Sequence, residues 1–128
     1  MKRQTIVVNV QHNVNLQPLA SATVFWSEHY INPDEEYHSR SDQCKQFVAV
    51  TDKDGVALIA TDIEESVPDG FNIPFKYYNK IWISIDRVEC KGFKNCEVNK
   101  VFPAVGEEYG GIKSADEFEY TIYLVPES

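Results

Sequence analysis

Six residues carry most of the reactive chemistry in this chain, three cysteines and three histidines. Cys90 and Cys96 flank Lys91-Gly92-Phe93-Lys94-Asn95, a stretch that reads as a hairpin turn. A disulfide closing so short a loop would pin the hairpin register and contribute about 2 kcal/mol, provided the two side chains face each other across the strands. Two reduced thiols are the alternative, and the redox state of the compartment decides between them. Cys44 borders a polar loop with no histidine in its sequence neighbourhood, and reads as a lone thiol rather than a nucleophile. His29 and His38 bracket Asp34, Glu35 and Glu36, but the spacing fits no compact zinc pattern, so solvated loop charges are expected. Asp52-Lys53-Asp54-Gly55 matches the start of a calcium loop and lacks the third acidic position and the distant bidentate glutamate. A hairpin is the better reading there.

Glu64 with Glu65, Glu107 with Glu108, and Asp116, Glu117 and Glu119 form acidic pairs or clusters. Paired carboxylates in a groove can do acid–base work on a sugar, yet a chain with twenty Asp and Glu against twelve Lys and Arg exposes such groups everywhere. There is no nucleophile elbow, phosphate-cradling glycine loop or His-Glu-x-x-His. The expectation is therefore not an enzyme, with no catalytic residue, cofactor or metal.

The aromatics point elsewhere. Phe75, Tyr77 and Tyr78 precede a run in which Ile81, Ile83 and Ile85 share one strand face, which turns Trp82 to the other. These four form the candidate binding surface, since aromatics bury area at low entropic cost and stack on sugars. The competing reading covers Trp82 with residues 62–79 as a second small core.

The elements that must position these residues are almost all strands. Period-2 alternation marks 5–10, 22–26, 47–51, 56–60, 81–88, 97–102 and 118–125. Asp54-Gly55 supplies a tight hairpin. Residues 30–43 and 105–117 read as two long loops, and 62–79, with Pro68, Gly70 and Pro74, admits at most a short turn of helix. Seven strands in 128 residues predict one domain spanning 1–128, an all-β, two-sheet sandwich with one irregular or short helical insertion.

A net charge of -8 opposes binding to nucleic acid or to anionic membranes. The longest apolar runs span a few residues, so no membrane insertion is expected. The Ile6-Val7-Val8 run stops at Asn9, too short for a secretory signal. The location is cytoplasmic, or secreted, periplasmic or cell-surface where a leader has been removed.

Three segments occur in a telling order: Gln17-Pro18-Leu19-Ala20-Ser21-Ala22-Thr23-Val24, Val50-Thr51-Asp52-Lys53-Asp54-Gly55-Val56-Ala57-Leu58, and Tyr120-Thr121-Ile122-Tyr123-Leu124-Val125-Pro126. The chain resembles the transthyretin-like (prealbumin-like) sandwiches, a group that includes carboxypeptidase regulatory domains. That resemblance implies a scaffold for recognition, spacing and assembly. The group's hydroxyisourate hydrolase branch uses histidines and a C-terminal Tyr-Arg-Gly-Ser. This chain ends Val125-Pro126-Glu127-Ser128, and Asn9 stands where that branch keeps a first-strand histidine, with His12 out of register. The catalytic residues do not carry over.

The expected function is a non-enzymatic module binding another protein through loops or an exposed strand edge, as an exported scaffold, adhesion or secretion component. One alternative is an acidic cytosolic inhibitor or immunity-type protein that neutralises a basic partner. Another is a carbohydrate-binding module stacking sugar on Trp82 with Tyr77 or Tyr78. An edge-to-edge dimer and a monomer are both compatible with the sequence.

Overall fold

In the computed structural model, residues 2–30, 43–63, 65–66, 77–78, 80–103 and 117–127 are described, with side chains for 4–29, 44–61, 83–102 and 117–127. The strands are β1 (Lys2–His12), β2 (Thr23–Tyr30), β3 (Gln43–Val50), β4 (Val56–Ile63), β5 (Glu65–Ser66), β6 (Tyr77–Tyr78), β7 (Lys80–Glu89), β8 (Cys96–Pro103) and β9 (Glu117–Leu124). Seven of them build two sheets, ordered β4-β1-β9 and β3-β2-β7-β8. The fold is the expected all-β sandwich. Each expected alternation is a strand, and on β1, β2 and β7 the apolar parity faces inward: Ile6, Val8 and Val10, Val24 and Trp26, and Ile83 and Ile85 are all buried. Strands with one apolar face are stable only when that face is covered, and the two sheets cover each other.

The chain alternates between layers. β1 pairs antiparallel with β4 and parallel with β9, while β2 pairs antiparallel with both β3 and β7. Of the stretch 62–79, expected to be irregular or briefly helical, residues 64, 67–76 and 79 lie outside the described residues and the described ones are strand. These hold the end of β4 and the ribbon in which Glu65 pairs with Tyr78 and Ser66 with Tyr77.

One pole of the sandwich is made of short turns. Val10 N–H donates to Gly55 O at 2.8 Å, Leu19 N–H to Val10 O at 2.9 Å, and Ser21 N–H to Thr51 O at 3.0 Å. Asp52 Oδ1 accepts from the N–H groups of Asp54 and Val56, which fixes the turn between β3 and β4. His12 Nδ1 accepts from Val14 and Asn15 N–H, so this ring braces the turn after β1.

The hairpin between β7 and β8 corrects the disulfide expectation. Its register sets Val88 opposite Cys96, leaving Cys90 two residues beyond the partner position, and Cys44, Cys90 and Cys96 are all free. The turn is drawn away from a simple hairpin by the chain's last residues. Phe93 N–H donates to Cys90 O, Lys94 N–H to Val125 O, and Glu127 N–H to Gly92 O.

Candidate functional site

The opposite pole is where the long connections attach. β2 leaves at Tyr30 and β3 enters at Gln43, β4 leaves at Ile63 and β7 enters at Lys80, β8 leaves at Pro103 and β9 enters at Glu117. The registers place these ends together within each sheet: Tyr30 lies beside both Gln43 and Lys80, Trp82 beside Pro103, and Lys2 beside Ile63. Residues 31–42 hold four carboxylates and one arginine, and 64–79 and 104–116 each hold three carboxylates and one lysine. These three connections thus account for seven of the chain's eight net negative charges.

The core also changes character toward this pole. The inward parity of β1 ends at Gln4, that of β4 at Thr61 and that of β2 at Glu28, all three buried. Gln4 and Thr61 are register partners, and the Thr61 hydroxyl crosses between the sheets to donate to Glu28 Oε1 at 2.5 Å. A buried carboxylate needs hydrogen-bond donors to offset its lost hydration, and this cross-sheet contact supplies one.

A second polar group sits on the outer face of the four-stranded sheet. Ser27 and Ser84 are register partners on β2 and β7, and both are buried. Between Ile85 and Arg87 the ladder slips by one residue against β2, so Asp86 is the extra residue of a β-bulge. Its carboxylate accepts from Ser27 Oγ and, at 2.7 Å, from Ser84 Oγ, and His29 Nε2 lies 2.9 Å from Ser84 Oγ. The proton order follows. Each hydroxyl has one hydrogen and gives it to the carboxylate, so His29 Nε2 donates to Ser84 rather than accepting from it. In a Ser-His-Asp triad the imidazole stands between serine and carboxylate; here the serine stands between them, an order that fixes protons instead of releasing a nucleophile.

The register brings His29 opposite Cys44 on one side and opposite Trp82 on the other. This Cys44–His29 proximity is invisible in the sequence, where fifteen positions separate the two. Trp82 lies in β7 and Tyr77 and Tyr78 in β6, but the side chains of this expected surface, and Phe75 altogether, lie outside the described residues. So do His38, Asp34, Glu35, Glu36, Glu107, Glu108 and Asp116, and with them most of the histidine–carboxylate loop. Burial pushes the Cys90 thiol up, and burial followed by the Glu97 charge does the same at Cys96. Neither microenvironment favours a thiolate nucleophile. Among the described residues no helix is long and apolar enough to cross a membrane.

The sequence reading missed Ser27, Ser84, Asp86, Glu28, Thr61 and Gln4. The inward trio had a signal, since each continues an apolar alternation by one more step. The bulge had one too: Ile85 and Val88 both face inward across a step of three, which a regular strand does not allow. Compared with protein-family models, curated proteins and solved structures, the chain matches none.

Proposed function

We propose that this chain is a non-enzymatic protein-binding module of transthyretin-like connectivity whose acidic pole receives a basic partner protein. One observation carries the reading: the three long connections, whose sequences hold seven of the eight net negative charges, all attach to strand ends at a single pole. Charge concentrated in this way steers oppositely charged partners and repels like-charged ones. The hydrogen-bond order at Ser84, which commits its proton to Asp86, supports a binding role over a hydrolytic one. The connectivity is supported by the partition of strands between the sheets and by the parallel pairing of β1 with β9. It is supported too by the three resembling segments meeting at the short-turn pole, where Leu19 and Gly55 both bond to Val10.

Selection from an unbiased displayed-peptide library tests this reading. The enriched peptides should be net positive, and their affinity should fall about tenfold or more between about 50 and about 500 mM NaCl. A selection that enriches nothing, or that enriches neutral and salt-insensitive ligands, contradicts it.

A further inference from the structure

Four strands edge the two sheets, and they offer different surfaces to an incoming chain. β8 is broken by a register shift against β7 and by Asn99, a non-glycine residue at φ 50°. β9 exposes Glu117 and Glu119. β4 pairs regularly with β1 but, among its described side chains, presents a single large exposed aliphatic, Leu58. β3 differs from all of these. It keeps an unbroken register with β2 from Gln43 to Val50, contains no proline, and carries one charge, Lys45. Its second half is apolar and open, with Phe47 37%, Val48 60% and Val50 58% exposed. Edge strands are ordinarily blunted by shortness, bulges, proline or several charges, because unpaired backbone groups there recruit other strands. Among the described residues, one lysine alone does so on β3.

Resting on the proposed binding function, we infer that β3 is the edge on which the partner adds a strand. The partner segment is extended, with aliphatic residues at alternate positions beside Val48 and Val50 and Lys or Arg at the end beside Gln43. The polarity of β3 argues for this occupant. Its Gln43 end follows directly on residues 31–42, whose sequence holds four carboxylates, and its Val50 end lies at the short-turn pole. Strand addition draws affinity from main-chain hydrogen bonds and specificity from alternate side chains. Antiparallel pairing, the more stable arrangement, puts the basic end at the C-terminus of the added segment.

The test uses the amidated peptide Thr-Val-Thr-Val-Thr-Val-Arg-Lys-Arg and a control ending in Glu-Asp-Glu. Binding is followed by calorimetry and by amide hydrogen exchange on the whole chain. The basic peptide should bind and slow exchange across 43–50, and the acidic control should not bind. Val48→Lys with Val50→Lys should weaken binding about tenfold or more, while Leu58→Lys on β4 leaves it unchanged. Val48→Thr with Val50→Thr, which keeps shape and strand propensity, should weaken it about threefold or more and serves if the lysine variant misfolds. Slowed exchange confined to other strands, with both β3 variants binding normally, overturns this inference and leaves the protein-binding reading intact. A free chain that dimerises through β3 overturns it as well, since a second copy then fills the edge. Failure of this peptide together with failure of every library-selected ligand overturns both.

Discussion

Gly55 lies against Pro18 so closely that a Cβ added to the glycine would stand 2.8 Å from the proline Cβ. The same added atom would meet Val10 O at 2.8 Å and Leu19 N at 2.9 Å, and the backbone there has φ +72°. The turn between β3 and β4 is thereby locked onto the connection between β1 and β2. Gly92 is the natural comparison, with φ +86° and open space around its Cα. Gly55→Ala should destabilise by at least about 3 kcal/mol, combining left-handed strain with overpacking. Gly92→Ala should cost only about 1–2 kcal/mol, the strain alone. Urea denaturation of both variants checks the difference, and equal losses would show that the Pro18 contact does not hold the turn.

Thr51 ties the same pole from the side chain. Its buried hydroxyl donates to Leu19 O at 2.6 Å and accepts from Ala22 N–H at 2.9 Å. Thr51→Ala leaves a buried donor and acceptor unmet and should cost about 2–3 kcal/mol. Thr51→Ser should recover most of that loss, with the midpoint of chemical unfolding as the readout.

The outer-face network gives a graded prediction. Asp86→Ala strands the Ser27 and Ser84 hydroxyls and should destabilise by about 2–3 kcal/mol, whereas Asp86→Asn keeps an acceptor and should cost about half as much. Calorimetric unfolding of the two variants side by side measures the gap. Equal stability for wild type and Asp86→Ala would mean that the bulge positions nothing of consequence.

The thiols can be ranked. Cys44 is exposed on β3, while Cys90 and Cys96 are half-buried with thiol pKa values raised by burial. Alkylation under non-reducing conditions should therefore add three labels, Cys44 first, and the other two should react appreciably only at more alkaline pH. The sign for stability follows from the direction of shift. Neutral Cys90 and Cys96 favour the folded state fully below the unfolded-thiol value of about 8.5. That contribution is lost as pH rises through their higher folded values. Two labels fewer than three, with Cys90 linked to Cys96, would contradict the hairpin register.

Much of the fold was legible because alternation is a local property. Ile6-Val8-Val10, Ala22-Val24-Trp26 and Ile83-Ile85 each declare a face within one strand, and each of those residues is buried. What escaped depends on pairing between strands. Five residues separate Cys90 from Cys96, a spacing that permits a bridged hairpin, but the pairing of Lys94 with Val125 shifts the turn. His29 meets Cys44 only through the β2–β3 register. Gln4, Glu28 and Thr61 were readable one by one as polar ends of apolar runs, yet nothing in the sequence says that they share one pole. The shared pole escaped for the same reason: the acidic residues are scattered along the chain, and the topology brings the strand ends to which their connections attach to one side.

We propose that the two poles divide the work, short turns holding the fold and the acidic pole with β3 meeting a basic partner. Amide chemical shifts recorded while titrating the arginine-ended peptide into labelled protein at low salt test it most directly. Shifts are expected across Gln43–Val50 and at the ends Tyr30, Lys80 and Glu117, with Thr51–Gly55 and Gly92–Lys94 unmoved. Shifts centred on the short turns, or none at saturating peptide, would contradict it.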